Sequence, residues 1–394
     1  MSTRLTANHT IIACFIGYIV QAVVNNFAPL LFLTFQSDYG VPLGQIAMLT
    51  AINFTVQLVT DAVSPAVIKR VGYRAAAVTA HFLAAAGILL MAFLPGVMPP
   101  FAGLLLASCV YAVGGGLIEV IISPIVQSCP GDKKEAAMSL LHSFYCWWHL
   151  GVVLISSGFF ALFGTGHWQV LAVIWAALPV FNLFFFLRVP MYSPEEDGEG
   201  GMGLRGLFGQ KIFWVLLLLM FCAGSSEQAM SQWASAFAES ALGLSKAMGD
   251  LAGPCTFALC MGLARAFYAK KAGRLKLSRY MVFCGVLSIG GYVLASLGLP
   301  LLGMLGCGVC GFAVGVLWPG TFSAAAAALP AGGTTMYAFL ALAGDLGCAS
   351  GPAAAGAVAD ASGGNLQPAM AFSVVFPVML LVGIWLYRRT AERG

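Results

Sequence analysis

Charged residues are scarce in this sequence. Asp, Glu, Lys and Arg account for 9% of its 394 residues, whereas soluble domains carry roughly 25%. A soluble globular protein is therefore excluded. The sequence also lacks GxSxG, HExxH and nucleotide-loop patterns. These absences argue against an enzyme, a bound cofactor and a self-contained ATP-driven pump.

Long apolar runs fill the chain instead, and hydrophobic residues make up 60% of it. A helix of about 20 apolar residues is long enough to cross a bilayer. Twelve such runs are present, numbered here as spans one to twelve: 11–36, 43–68, 75–95, 101–128, 138–163, 167–188, 212–240, 247–269, 279–298, 300–327, 336–359 and 368–387. The sequence predicts an all-α membrane protein with 12 transmembrane helices.

The basic residues predict the orientation. Nearly all of the 19 Lys and Arg residues fall in the termini and in the loops on one side of the membrane; Lys246 and Arg265 are the exceptions. Because Lys and Arg accumulate in cytoplasmic loops, we expect both termini in the cytoplasm and a multi-pass protein of a bacterial-type inner (plasma) membrane. The net charge of +4 follows from this topology and does not indicate nucleic acid. Membrane lipid is the expected surrounding, and we expect a monomer.

The longest polar interruption divides the chain into two halves. Residues 190–211 are rich in Gly and acidic residues, a composition typical of a flexible linker. The predicted domains are a six-helix bundle over 1–189, this cytoplasmic linker, and a second six-helix bundle over 212–394. Two pseudo-symmetric bundles are typical of transporters with internal repeats.

Small residues recur at GxxxG spacing in two of the later spans. The pairs are Gly311 with Gly315, and Gly347 with Gly351. Such pairs allow two helices to approach closely. They predict either static packing or helices that slide in a moving gate.

Carboxylates within the spans are the strongest functional signal. Glu119 lies in an otherwise apolar stretch of span four, where a charge costs roughly 2.5–3.5 kcal/mol on insertion scales. Glu227 in span seven is the second candidate, and Asp61 and Asp345 complete the intramembrane set. Such acids usually serve an ion, a proton or a substrate. We expect a proton as the coupling ion, with sodium as the alternative.

Amides accompany these acids. Asn53, Gln57 and Asp61 are spaced four apart in span two, and Gln21 and Asn25 in span one, where Asn26 follows directly. Residues four apart share a helix face. These polar faces either line a cavity or bond neighbouring helices. Because amides carry donors and acceptors without charge, a polyhydroxylated solute would suit them.

Further candidates for a solute site lie in other spans. They are His142 in span five, Gln228 and Trp233 in span seven, Trp318 in span ten and Tyr337 in span eleven. The aromatic rings could stack on a sugar or serve plain packing. His142 and His149 share a helix face, but zinc wants three or four converging ligands, so we expect no metal. Arg265 is predicted to close a gate, or to snorkel towards the cytoplasm.

Two motifs resemble a known family. The loop from Pro65 to Arg74 keeps Arg70, Gly72 and Arg74 of the loop motif of the major facilitator superfamily, with Lys69 where that family has an acid. Gly116-Leu117-Ile118-Glu119, followed by Pro124, resembles span four of the fucose–galactose–glucose:proton symporters. The resemblance extends to three other segments, at 25–26, 140–144 and 227–233.

This resemblance implies the major facilitator fold and proton-coupled uptake of a small polar, sugar-like solute by alternating access. It implies that Glu119 handles the proton and that Arg70 and Arg74 take part in gating. Two departures limit the comparison. The family's span-one acid would fall at about Pro29, and its substrate-binding glutamine falls at about His142. Glu119 would therefore act alone, or with Glu227 or His142. Proton-coupled efflux of amphipathic compounds and transport of another polar metabolite are the alternative functions.

Overall fold

The computed structural model describes residues 5–130, 134–192, 204–271 and 276–391. Within these ranges the protein is built from helices and contains no strand. Eleven helices of the described part are long and apolar enough to cross a membrane, and the apolar stretch Trp147–Phe163 of span five is a shorter one. The predicted all-α membrane fold is confirmed.

The first six spans occupy Ala7 to Arg188. Span one consists of α1 (Ala7–Asn26), a 3-10 turn (Ala28–Leu31) and α2 (Phe32–Tyr39); spans two and three share α3 (Leu43–Phe93); and spans four, five and six are α4 (Pro100–Ser128), α5 (Lys134–Phe163) and α6 (Trp168–Arg188).

The last six spans follow a short helix, α7 (Leu204–Gly209). Span seven is α8 (Lys211–Ser231) with α9 (Ala234–Ser240); span eight is α10 (Lys246–Asp250), a π-helical turn (Leu251–Cys255) and α11 (Thr256–Lys271); span nine is α12 (Leu277–Ser296); span ten is α13 (Pro300–Val314) with α14 (Leu317–Ala328); span eleven is α15 (Gly333–Ala361); and span twelve is α16 (Leu366–Ser373) with α17 (Val375–Ala391).

Contacts within the chain define two compact units. Unit 1 comprises Met1–Val41 and Ile52–Asp197, and unit 2 comprises Pro42–Ala51 and Gly198–Gly394. The domain boundaries expected from the sequence, at 189 and 212, stay a prediction. Most of the expected linker, residues 193–203, lies outside the described residues.

A single glycine separates spans two and three. Gly72 has φ 82° and ψ 159° within α3, a backbone conformation that residues with a Cβ rarely adopt. The chain reverses there without a longer loop. This geometry accounts for a glycine at this position of the loop between Pro65 and Arg74.

Glycines also bring helices of unit 2 into backbone contact. A Cβ on Gly311 would collide with the backbone oxygen of Phe257, and one on Gly347 with that of Phe221. Gly315 and Gly351 continue the same two contacts one turn further on. The predicted close packing is therefore confirmed: span ten packs on span eight, and span eleven on span seven.

Candidate functional site

Glu119 is hydrogen-bonded to an amide of span one. Nε2 of Gln21 donates to Oε2 of Glu119 at 3.1 Å and to Oε1 of Gln57 at 3.0 Å. Gln21 is 2% exposed, whereas Glu119 is exposed to solvent. The carboxyl group is thus accessible to a proton or an ion, while its hydrogen-bond donor is buried between helices.

The network continues from span two back to span one. Nε2 of Gln57 donates to Oδ1 of Asn25 at 2.9 Å and to Oδ1 of Asn53 at 3.1 Å. Nδ2 of Asn53 reaches the same oxygen of Asn25 at 3.4 Å. Five side chains from spans one, two and four therefore form one hydrogen-bonded group, which we call the amide network: Gln21, Asn25, Asn53, Gln57 and Glu119.

Three successive glycines of span four make room for this network. A Cβ on Gly114 would lie 2.5 Å from the backbone nitrogen of Ala84 in span three, and one on Gly115 would lie 2.9 Å from Oε1 of Gln21. On Gly116 it would lie 3.0 Å from Oδ1 of Asp61. Span four thus approaches spans one, two and three because it lacks side chains at these positions.

The other polar residues predicted in unit 1 lie beside the network. Asp61 is half-buried against Gly116. Asn26 turns away, donating from Nδ2 to the backbone oxygen of Ala22 at 2.9 Å and to the hydroxyl of Tyr145 at 3.4 Å. The side chain of His142 lies outside the described residues.

The polar group of unit 2 has a different composition. Nε2 of Gln232 donates to Oε1 of Gln228 at 3.1 Å, and Nε2 of Gln228 lies 3.4 Å from Oε1 of Glu227. Glu227 also interacts electrostatically with Arg265, which donates from Nε to the backbone oxygen of Gly315 at 3.0 Å. The carboxylate of unit 2 thus has a guanidinium as an electrostatic partner in addition to an amide.

The predicted aromatic residues do not form one group. Trp233 is fully buried and donates from Nε1 to the backbone oxygen of Pro352 at 3.0 Å. Trp318 and Tyr337 both lie close to Phe322, with ring centroids 6.3 Å and 5.6 Å from it. Trp233 thus packs inside unit 2, whereas the other two belong to an aromatic group that ends at the exposed ring of Tyr337.

The remaining predicted residues are dispersed. Asp345 is buried in span eleven. Arg74 donates from Nη1 to the backbone oxygens of Phe186 and Leu187 at 2.8 Å each, so it caps the end of span six. Arg70 is exposed on the loop after span two.

One buried polar pair could not be recognised from residue spacing in the sequence. His81 of span three and Asn182 of span six are fully buried. Nδ2 of Asn182 lies 2.8 Å from Nε2 of His81 and donates to the backbone oxygen of Ala13 at 3.0 Å. The pair bonds spans one, three and six, the role expected of buried polar residues between membrane helices.

The amide network combines an acid with neutral amides. Glu119 is exposed, and a carboxylate can take up a proton. Asn25, Asn53 and Gln57 are buried, and each amide combines donors and acceptors without charge, as do hydroxyl groups. Gln21 contacts both Glu119 and Gln57.

Comparison with known proteins identifies a family. The family profile described as Major Facilitator Superfamily matches residues 11–348. No curated protein matches the sequence significantly. Three solved structures share the fold. A bacterial homologue of the human lysosomal transporter Spinster, inward-facing and unoccupied, has 14% identity, TM-score 0.79 and 98% coverage of both chains.

The other two are also distant in sequence. The E. coli fucose:proton symporter FucP, solved as a single-residue variant, has 16% identity and TM-score 0.63, covering 96% of this chain and 98% of that one. The nucleoside transporter NupG, also solved as a mutant, has 14% identity and TM-score 0.75, covering 98% and 99%. At these identities the likeness concerns the fold.

Proposed function

Because the chain belongs to the Major Facilitator Superfamily, we propose that this transporter takes up a small polar, sugar-like solute together with a proton. Glu119 binds the proton, and the amides of Asn25, Asn53 and Gln57 bind the solute. Alternating access then exposes this site to each side of the membrane in turn. We place the protein in a bacterial-type cytoplasmic membrane with both termini in the cytoplasm.

The observation that carries this proposal is the amide network itself. A solvent-exposed carboxyl group is joined through one buried glutamine to three neutral amides. Neutral amides can donate hydrogen bonds to the hydroxyl groups of a sugar and accept them in return. They offer no opposite charge to an ionic solute and no apolar surface to a purely apolar one. FucP is a fucose:proton symporter and NupG a nucleoside transporter; both solutes are polyhydroxylated, which supports the same class here.

The solute can be found with purified protein. A ligand that binds only the folded state stabilises it, so thermal unfolding against a panel of neutral sugars, nucleosides, amino acids and organic acids, at two pH values, should single out the polyhydroxylated compounds. Stabilisation by an amino acid or organic acid instead, with none by a sugar or nucleoside, would contradict the proposed class.

The coupling ion is tested by Glu119→Gln in proteoliposomes. This variant should lose accumulation of solute against its gradient yet retain exchange of labelled for unlabelled solute, because exchange needs no net proton movement. Asp38→Asn is the matched control: it removes an exposed carboxylate of unit 1 that bonds to Ser37 and should leave accumulation intact. Undiminished accumulation by Glu119→Gln would exclude Glu119 as the proton site. Loss of accumulation on replacing external sodium would assign sodium instead.

The aromatic group of unit 2 favours a second function, proton-coupled efflux of amphipathic compounds. Trp318, Phe322 and Tyr337 offer stacking surfaces that suit an apolar ring. The direction of transport separates the two functions. In vesicles of known orientation, uptake requires that solute and protons move the same way, whereas efflux requires opposite directions.

A further inference from the structure

We infer that Gln21 transmits the protonation state of Glu119 to the solute-binding amides by rotation of its own side-chain amide. Gln21 is then a positioning residue. It responds to protonation of Glu119 through one hydrogen bond and reorients Gln57 through the other. The inference rests on the proposed function, in which Glu119 binds the proton, and it states how that proton would change the affinity for solute.

The contacts of Gln21 are divided unevenly between its two polar atoms. Both hydrogens of Nε2 are used, one towards Glu119 at 3.1 Å and one towards Gln57 at 3.0 Å. Oε1 is buried and has no hydrogen-bond donor among the described residues. A buried acceptor without a partner costs roughly 1–3 kcal/mol. The orientation seen here is therefore not favoured by a full set of hydrogen bonds.

Protonation of Glu119 reverses what the carboxyl group needs. An ionised carboxylate only accepts hydrogen bonds, whereas a protonated carboxyl group also donates one. The exposed group takes the proton from water, and the new O–H bond requires an acceptor. Oε1 of Gln21 supplies it once the amide has turned by half a rotation, because the turn exchanges the positions of Oε1 and Nε2.

Rotation of the Gln21 amide requires rotation of the Gln57 amide as well. With Oε1 in place of Nε2, two oxygens would face each other between Gln21 and Gln57. The amide of Gln57 must then turn as well, so that its Nε2 donates to Gln21. Its oxygen now meets Asn25 and Asn53, which accept from Gln57 in the structure and would have to donate instead. Donors and acceptors are exchanged along the whole amide network.

Neither orientation satisfies every atom, so neither is favoured by a full set of hydrogen bonds. Before the turn Oε1 of Gln21 lacks a donor, and after it Nε2 would occupy that position beside Gly115. The space is also present. A Cβ on Gly115 would lie 2.9 Å from Oε1 of Gln21 and 3.5 Å from Oε1 of Gln57, so the bare glycine leaves room for both amides to rotate.

Other titratable groups face Glu119 from the spans packed around it. Tyr18 of span one interacts with Glu119 electrostatically and bonds to Ser123 at 3.4 Å between hydroxyl oxygens. Asp61 of span two lies against Gly116, and Tyr145 of span five packs its ring 6.5 Å from that of Tyr18. An experiment must therefore distinguish protonation of Glu119 from that of Asp61.

Infrared difference spectroscopy on purified, full-length protein provides this distinction without a known solute. The probe is the proton alone. The Glu119 carboxyl band is the band that appears on acidification and disappears in Glu119→Gln but persists in Asp61→Asn. Protein labelled with a heavy isotope at the glutamine side-chain carbonyl reports the amides, and loss of a band in Gln57→Met assigns Gln57.

In the wild-type protein, the Glu119 and Gln57 bands should change together with pH. In Gln21→Met, which keeps the length of the side chain but has no amide, the Glu119 band should still change and the Gln57 band should not. A Gln57 response unchanged in Gln21→Met, or absent from the wild-type protein, would overturn the inference. Absence of any carboxyl band assigned to Glu119 would instead overturn the proposed function.

A second variant tests the inference if Gln21→Met does not fold. Gly115→Ala retains every polar group and fills the space in which the amides turn, so the Gln57 response should be lost or shifted in pH while the Glu119 band persists. Gly158→Ala is the matched control, because no atom lies within 4 Å of its added Cβ. An equal Gln57 response in Gly115→Ala and Gly158→Ala would count against rotation.

Discussion

Glu119 of unit 1 and Glu227 of unit 2 are both glutamates within spans, yet their partners differ. Glu119 accepts a hydrogen bond from a neutral amide, whereas Glu227 interacts with the guanidinium of Arg265. An amide can bond to either form of a carboxyl group, while a permanent cation favours the ionised form. The neighbours of Glu119 thus accommodate both protonation states, whereas Arg265 favours the ionised form of Glu227.

Replacing each of the two glutamates in turn by glutamine should produce the largest difference between the two units. Proton binding that is coupled to solute binding changes solute affinity with pH, typically by roughly 5- to 150-fold. Glu119→Gln should abolish this pH dependence of the solute dissociation constant. Glu227→Gln should retain it but lower the unfolding temperature, because Arg265 loses its counter-charge.

The double variant Glu227→Gln with Arg265→Gln sharpens this result. It removes both charges and should regain much of the unfolding temperature lost in Glu227→Gln alone. Loss of the pH dependence in Glu227→Gln and its retention in Glu119→Gln would reverse the assignment of the two glutamates.

The glycines of the two units should differ in their tolerance of a methyl group. Gly347 of unit 2 faces backbone, which cannot move aside, so Gly347→Ala should lower the free energy of unfolding by about 1–3 kcal/mol. Gly115 of unit 1 faces the end of a flexible side chain, and Gly115→Ala should cost less stability. Thermal unfolding in detergent measures both. Gly290→Ala, with open space around the added Cβ, should match the wild type; an equal loss at Gly290 would refute the packing argument.

Variants of Arg70 and Arg74, the two arginines after span two, should differ in whether they affect stability or transport. Arg74 caps two carbonyls at the end of span six, and a cation at a helix C-terminus is worth roughly 0.3–1 kcal/mol. Arg74→Gln should therefore lower the unfolding temperature, whereas Arg70→Gln, at an exposed position, should not. If Arg70 serves in gating, its variant should reduce the transport rate at unchanged stability. Equal stability of the two variants would contradict the capping role.

The smallest effect is expected at Glu239 of span seven, whose Oε1 lies 3.2 Å from Nζ of Lys246. Lys246 also pairs with the buried carboxylate of Asp250 at 2.7 Å. Glu239→Gln leaves this second pair in place, whereas Lys246→Gln removes the cation from a buried carboxylate.

Glu239→Gln should therefore change the unfolding temperature little, and Lys246→Gln should lower it more. Thermal unfolding in detergent measures both variants. An equal loss in the two would contradict the larger contribution of the Lys246–Asp250 pair.

Hydropathy and loop composition predicted the fold because both depend on local sequence. Apolar runs of sufficient length fold as helices in a membrane whatever their neighbours are. Interruptions within spans depend on other features. Span ten breaks between Val314 and Leu317, where Pro319 cannot donate a hydrogen bond to the carbonyl of Gly315 four residues earlier. Span seven breaks between Ser231 and Ala234 without a proline, so that break was not predictable from local sequence.

The site was predictable only in part, for a related reason. Helical spacing placed Asn53 and Gln57 on one face, and the structure joins them by a hydrogen bond. The central position of Gln21 depends on how closely span four approaches, which its three glycines determine. Trp233 illustrates the limit: an aromatic side chain suits both solute stacking and packing, and the structure places this one fully buried within unit 2. Residue type alone cannot distinguish a ring in a cavity from one in a core.

The π-helical turn Leu251–Cys255 gives span eight a residue that it can lose. Such a turn holds one residue more than the α-helical path, so deleting one residue there would leave a continuous helix rather than a broken one. Because the extra residue is absorbed within the turn, the segment Lys246–Asp250 would keep nearly the same orientation relative to α11. Lys246 would therefore stay beside Glu239 and Asp250. A one-residue deletion here would thus shorten the helix without turning its end.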